Sequence, residues 1–338
     1  MKYPIIDYQK RLLPDLIPVM QRRFYILQSI GLMEPVGRRS LSLSLGVTER
    51  ILRSEVTFLK EQDLITISSL GMSLTSEGIA VLEGLGSVMR EITGINKMEE
   101  SLQSNLGIKK VMIVSGDSEE SPLVKSELGR ACANCMKATL SGENIIAVTG
   151  GTTMSAVAEM LTPEIGSDMF FVPARGGIGE NVQNQANTIC AKMAEKTHSK
   201  HRLLFVPDQV SKEMYETMMK EPPINEVLGL IKSASMVLHG IGDAITMAKR
   251  RKASEKDLEM LKKQNTVSEA FGYYFNEDGE VVHKVATIGL QLDNLANIDH
   301  VIAVAGGASK AKAISSYMKQ APRHTILITD EGAAKQLL

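Results

Sequence analysis

Seven short apolar runs recur along the C-terminal part of this 338-residue chain: Val111–Val114, Ile145–Val148, Met169–Val172, Leu203–Val206, Met236–His239, Val301–Val304 and Thr325–Ile328. Helical patterns separate most of them. Runs this short and this apolar fit strands buried on both faces. Strands alternating with helices fit a parallel sheet with helices on both sides, a Rossmann-like, doubly wound α/β fold. Tyr273–Phe275 and Val281–Val285, joined by Asn276-Glu-Asp-Gly279, predict an inserted β-hairpin.

The turns at the strand ends carry the chemistry. Ile145–Val148 runs into Gly150-Gly151-Thr152-Thr153, and a helical pattern restarts at Met154. Glycines at a strand-to-helix turn let backbone N–H groups approach a ligand, and a helix start offers unpaired donors and a positive dipole end. The segment predicts a phosphate cradle, with the hydroxyls of Thr152 and Thr153 as further donors. Ser115-Gly-Asp-Ser118, Pro173-Ala-Arg175-Gly-Gly177, His239-Gly-Ile-Gly242 and Ala305-Gly-Gly-Ala-Ser-Lys310 end four other runs. In a parallel sheet these five turns converge on one rim, where ligands of such folds bind. There Arg175 can grip a phosphate bidentately, and Lys310 adds a point charge. Gln185 and Glu269 are candidates for sugar hydroxyls. Lys249-Arg-Arg-Lys252 reads either as a solvated helix end or as a second phosphate pocket, which would make the ligand a bisphosphate.

The N-terminal part has another pattern. A helix over about Met20–Ile30 ends at Glu34-Pro35, a second runs over Arg38–Leu45, and Gly46-Val47 makes a tight turn. Thr48 caps a third helix reaching about Gln62, and Leu64–Ile67 with Met72–Leu74 form a small hairpin. This is a winged helix-turn-helix layout. The third helix would enter the major groove with Arg50, Arg53, Ser54 and Thr57, while Arg38 and Arg39 meet phosphates; Thr48 belongs to the same DNA-facing set. From Met20 to Lys60 seven basic residues face three acidic ones, a net +4, whereas the whole chain carries −1. That asymmetry points the head at a polyanion, double-stranded DNA. Residues 1–85 thus read as a DNA-binding domain, 86–107 as a linker helix and 108–338 as an effector domain. The linker's apolar seam, Val88, Ile92, Ile95, Leu102 and Leu106, either dimerises the chain or packs on the next domain.

Composition excludes other classes. No run approaches the ~18 apolar residues of a membrane span, and the N-terminus has no signal-peptide layout. Three cysteines make no disulfide framework, so a reducing cytoplasm is expected. Aromatic residues are only 4% and Trp is absent, which disfavours stacking on unpaired bases. Cys132 and Cys135 read as buried small hydrophobes rather than a metal or redox pair, and His198 and His201 lack a carboxylate cluster. No metal and no cofactor is expected.

Gly37-Arg-Arg-Ser-Leu41, Val114-Ser-Gly-Asp-Ser118, Val148-Thr-Gly-Gly-Thr-Thr153, Phe171-Val-Pro-Ala-Arg-Gly-Gly177, Asn184-Gln-Ala-Asn-Thr-Ile-Cys190, Glu269-Ala-Phe-Gly-Tyr-Tyr-Phe275 and Ala303-Val-Ala-Gly-Gly307 together resemble the SorC/DeoR-type sugar-responsive bacterial transcription regulators over essentially the whole length. The resemblance implies a repressor of a glycolytic operon, induced by fructose-1,6-bisphosphate. Its C-terminal domain would be similar to sugar-phosphate isomerases and glucosamine-phosphate deaminases. By the same resemblance, Thr152, Thr153, Arg175 and Lys310 hold one phosphate, Arg250 the other, and Gln185 and Glu269 the sugar. Dimers pairing into tetramers on the operator are also implied.

The alternative is a sugar-phosphate isomerase or deaminase with an appended head, needing a general base, for which Glu269 is the first candidate and Asp117 or Asp243 the fallbacks. A metabolic enzyme has no use for a winged helix, which favours the regulator. A structural adaptor using the linker seam is a third class that no other feature requires.

Overall fold

The computed structural model describes residues 4–166, 168–178 and 181–338. The described residues form two compact units, one of those up to 98 with 121–123, the other of 99–120 with those from 124 to 338.

In the first unit, α1 (Pro4–Leu12) and α2 (Leu16–Met33) precede α3 (Arg38–Leu45) and α4 (Glu49–Glu61). Gly46, in the left-handed conformation (φ 64°), closes α3, and the Thr48 hydroxyl accepts from the Ile51 N–H to cap α4. Strands β1 (Ile65–Ile67) and β2 (Met72–Leu74) pair antiparallel as the wing, and α5 (Ser76–Thr93) comes next. Ile26, Ile30, Leu41, Leu52, Val56, Leu59 and Met72 close one core beneath α4. Two expectations need correcting. The first helix of the motif starts at Leu16, about a turn before Met20, because Ile17 and Met20 have their own cluster with Met89 and Ile92. A continuous linker helix over 86–107 does not form: Gly94 (φ 76°) caps α5, and α6 (Ile95–Leu106) starts anew.

The second unit alternates β3 (Lys110–Val114), α7 (Pro122–Thr139), β4 (Asn144–Val148), α8 (Thr152–Met160), β5 (Met169–Pro173), α9 (Ala186–Thr197) and β6 (Lys200–His201). After α10 (Lys212–Met218) and α11 (Pro222–Lys232) come β7 (Met236–His239), β8 (Gly242–Asp243), α12 (Ala244–Arg250), α13 (Glu255–Lys263), β9 (Thr266–Ala270), β10 (Tyr273–Asn276) and β11 (Val281–Lys284). The chain ends with β12 (His300–Val304), α14 (Ala311–Met318), β13 (Ile326–Asp330) and α15 (Glu331–Leu337).

Seven strands form one sheet in the order β3-β13-β12-β7-β4-β5-β6, every pair parallel. Leu128, Cys132 and Met136 of α7, Met154 and Val157 of α8, and Ile189 and Met193 of α9 bury one face against Ile146, Val148, Phe171 and Leu238. The chain leaves β4 toward β5 on one side and β7 toward β12 on the other. The crevice between β4 and β7 is therefore the topological switch, where such folds leave space for a ligand.

The strand expected at Leu203–Val206 is absent. The edge strand is β6, paired to Phe170 and Phe171. Beyond it the Asn187 side chain takes both backbone groups of Leu204 (3.0 Å each), and Pro207 has no N–H to extend a ladder. The hairpin at 273–285 is present, but as half of a four-stranded antiparallel sheet, β11-β10-β9-β8. Its strand β9 lays Glu269 opposite Gly242, at the end of the β7 turn.

Candidate functional site

A cleft of about 860 Å³ opens in the second unit at the β4–β7 crevice, and Thr152, Thr153, Arg175, Gln185, Arg250, Glu269 and Lys310 all line it. Four of the five turns expected on one rim meet there. The fifth, 115–118, does not; it is braced from behind, the Ser118 N–H donating to Asp330 and Asp117 accepting from Ala308. Only Glu119, just beyond that turn, reaches the cleft, where Ser309 donates to its carboxylate.

The floor is the start of α8. Gly151 (φ 124°) is its N-cap and supplies no side-chain cap, so first-turn N–H groups remain available. A Cβ on Gly150 would lie 2.6 Å from the Asn184 carbonyl, so only glycine permits this approach. The Gly151 N–H itself is committed to the same carbonyl, at 2.8 Å. Thr153 is buried and Thr152 exposed.

One wall is cationic. Lys249, Arg250 and Lys252, at and just past the end of α12, line the cleft, as does Lys310. The Lys310 ammonium is pushed below its ordinary pKa by burial first, then by the neighbouring charges of Lys125 and Arg250. Repulsion among these cations marks a site that favours a polyanion. Because Arg250 acts directly on Lys310, the basic cluster and Lys310 share one electrostatic field.

Another part of the lining belongs to a buried ion-pair ring. Arg175 donates from Nε to Asp208 (2.6 Å) and, at a long 3.5 Å, from Nη1 to Glu269. Arg251 donates to the same two carboxylates, each at 2.9 Å, and to the Tyr274 hydroxyl at 2.8 Å. Glu269 also accepts from the Gly272 N–H at 2.7 Å. Arg175 is therefore not the free fork that its sequence context predicts. Two of its nitrogens face carboxylates, and Nη2 is buried with no hydrogen-bond partner. Gln185 likewise holds Ile178 with both ends of its amide (3.0 and 2.8 Å). Nothing in the sequence marks Asp208 or Arg251 for this ring; an acid in an irregular stretch beyond the sheet edge carries no local signature.

His239 lines the cleft yet is fully buried, between the Gly240 carbonyl (3.0 Å from Nδ1) and the Tyr317 hydroxyl (3.3 Å from Nε2). A carbonyl only accepts, so Nδ1 carries the proton and Nε2 accepts from Tyr317. Burial drives its pKa down to about 4, from 6.5. The unfolded chain therefore binds a proton that the folded one refuses, and the stability is present above pH 6.5 and lost as pH falls toward 4. Between pH 7 and pH 5 His239 should remove about 2 kcal/mol. Thermal unfolding at the two pH values checks this: His239→Gln should flatten the difference, and an unchanged difference would refute it.

Cys132, Cys135 and Cys190 are buried, their thiols raised by desolvation, consistent with packing rather than reactivity. Among the described residues no group of three or more His, Cys, Asp or Glu is placed to hold a metal.

In the first unit, Arg38, Arg39, Thr48, Arg50, Arg53, Ser54 and Thr57 are all exposed. Arg50, Arg53, Ser54 and Thr57 share the outer face of α4, while Leu52, Val56 and Leu59 face the core. Arg22 and Arg23 count toward the basic head in the sequence but are turned elsewhere. Both pair with the buried Glu55 of α4 (2.6 and 2.8 Å), and Arg23 also stacks on Phe58 at 3.5 Å. Burial alone would raise the Glu55 pKa; hydrogen bonds from Arg23 and Arg22 outweigh it and hold the carboxyl below its ordinary value. The pair fixes α4 to α2. No helix among the described residues is long and apolar enough to cross a membrane.

The sequence matches the family described as "Putative sugar-binding domain" over residues 90–338 and the "CggR N-terminal DNA binding domain" over residues 19–89. It is 60% identical over 336 residues to the central glycolytic genes regulator of Priestia megaterium, covering 99% of this chain and 98% of that protein. The Bacillus subtilis protein of the same name is 58% identical over 335 residues, with the same coverage. Among solved structures, that of "the putative SorC family transcriptional regulator from Enterococcus faecalis" superposes with a TM-score of 0.67 at 49% identity, covering 71% of this chain and 99% of that one.

Proposed function

Because this chain belongs to the SorC family, among the central glycolytic genes regulators, we propose that it represses a glycolytic operon and is induced by fructose-1,6-bisphosphate bound in the cleft. The observation that carries the ligand reading is the cleft itself: an uncapped helix start, Lys310 and the Lys249–Lys252 cluster face one cavity. Thr152, Thr153, Arg175 and Lys310 hold one phosphate, Arg250 the other, and Gln185 and Glu269 border the sugar between them. The exposed face of α4 enters the major groove of operator DNA, and Arg38 and Arg39 hold the backbone.

Induction is a population shift. Dimers pairing into tetramers bind the operator cooperatively, and the ligand favours a state whose heads fit it less well. A tenfold loss of operator affinity needs only about 1.4 kcal/mol of preference between the two states. The chain acts as a cytoplasmic regulator and not as an enzyme. Glu269, the first candidate for an isomerase base, is built into the ion-pair ring, and His239 is held between Gly240 and Tyr317.

The test is binding to the chain's own upstream promoter DNA at one stated salt concentration, with and without fructose-1,6-bisphosphate. At least tenfold weaker or less cooperative binding with the sugar is expected. Operator binding indifferent to the sugar would refute the inducer, and no binding would reopen the enzyme reading. Arg250→Ala should weaken the bisphosphate much more than fructose-6-phosphate; equal losses would remove the two-phosphate assignment.

A further inference from the structure

The ion-pair ring has two members on the cleft wall, Arg175 and Glu269, and two behind it, Asp208 and Arg251. The hidden pair bear directly on the visible one. Asp208 is only 3% exposed and is shared between Arg175 and Arg251 (2.6 and 2.9 Å). The Arg251 side chain is equally buried, and the residue comes directly after Arg250 at the end of α12. The four groups come from the ends of β5 and α12, from β9, and from the stretch after β6. Two guanidiniums and two carboxylates leave the ring neutral, in a place where water screens little.

We propose that Asp208 and Arg251 are positioning residues that fix the charge and orientation of Arg175, and thereby set how strongly the cleft favours a doubly over a singly phosphorylated sugar. This rests on the reading that the cleft takes a phosphorylated sugar. Neutralising Arg251 leaves two carboxylates around one guanidinium, a net negative charge behind the anion site. Neutralising Asp208 leaves two guanidiniums and one carboxylate, a net positive charge. Asparagine at 208 still offers Oδ1 to the Arg175 Nε, so Arg175 keeps its acceptor while the Arg251 Nε–H loses one and the charge changes. Each phosphate carries about −1.5 to −2, so a bisphosphate feels either change about twice as strongly as a monophosphate. The two variants therefore act with opposite sign, whereas a purely structural role weakens binding in both and for both ligands alike.

The experiment is calorimetric titration of the full chain with fructose-1,6-bisphosphate and with fructose-6-phosphate at one salt concentration. Arg251→Met should raise the bisphosphate Kd about tenfold and the monophosphate Kd less. Arg251→Lys should restore most of that selectivity. Asp208→Asn should lower the bisphosphate Kd, and the monophosphate Kd less. Equal losses in both variants and for both sugars, or no change in either variant, overturn the proposal. Should Arg251→Met fail to fold, Asp208→Asn decides: tighter bisphosphate binding with a smaller gain for the monophosphate supports it, and unchanged binding or an equal loss for both sugars overturns it. If the unsubstituted chain binds neither sugar, the functional reading falls, a result distinct from a loss confined to the variants.

Discussion

Replacing Arg50 and Arg53 together by alanine is expected to raise the operator Kd about a hundredfold or more, since removing each base or phosphate interaction costs about 1–3 kcal/mol. Both side chains are exposed on α4, three residues apart, and neither forms an ion pair among the described residues, unlike Arg22 and Arg23. Alanine is the best helix former, and the buried face of Leu52, Val56 and Leu59 is untouched, so α4 should persist. Fluorescence anisotropy at several salt concentrations separates the two kinds of interaction. Removing one phosphate interaction lowers the salt slope by about one; removing a base interaction relaxes sequence preference at constant slope. Sugar binding, measured on the same variant, should be unchanged. An unaltered operator Kd would mean that α4 is not the reading helix.

Asp330→Ala should lower the melting temperature of the second unit by about 10 °C, at about 2–4 °C per kcal/mol for a unit of this size. Asp330 is fully buried and caps α15 through Oδ1, which accepts from Ala333 (2.9 Å). Its Oδ2 accepts from Ser118 (2.8 Å) and from Gly307 (2.7 Å). Alanine would strand two buried donors and the half-buried Ser118 N–H, at about 1–3 kcal/mol for each buried one. A Cβ on Gly306 would collide with Oδ2, so the turn carrying Lys310 is closed tightly around this carboxylate. Sugar binding should therefore weaken in Asp330→Ala even below the melting transition. Calorimetry decides; a shift under about 2 °C would mean that backbone adjustment re-satisfies those donors.

Legibility in the sequence tracks the length scale of the interactions. Buried parallel strands are short apolar runs, so six of the seven are visible, as are the cap at Thr48 and the Gly46 turn. The run at 203–206 looks identical but loses its ladder to Asn187, a side chain from another segment. Strand β9 has no such pattern, because Thr266–Ala270 carries Ser268 and Glu269, polar residues buried by tertiary partners. All seven candidate cleft residues share one cavity: Thr152, Thr153, Arg175, Glu269 and Lys310 lie near strand ends, which the sheet topology gathers, while Gln185 and Arg250 reach it from a helix start and a helix end. What each charged group faces is not legible. Arg175 and Arg250 look alike in sequence; one lies within a buried ring and the other on the open wall. Asp208 belongs to no motif, and Arg251 stands in the Lys249–Lys252 cluster with nothing to mark it for a buried ring, since an ion pair between residues 43 positions apart leaves no local trace.

The cleft's walls reach it from segments as far apart as Glu119 and Lys310, so no short stretch of the chain contains the binding site. A molecule bridging those walls binds the native fold and not the unfolded chain. It must therefore stabilise the native fold by mass action, by about 2.7 kcal/mol at a hundred times its Kd, and raise the unfolding temperature accordingly. In a cell, the supply of such a metabolite would also govern how much of the protein escapes proteolysis. The abundance of the regulator, and not only its grip on DNA, would then rise and fall with the flux it monitors.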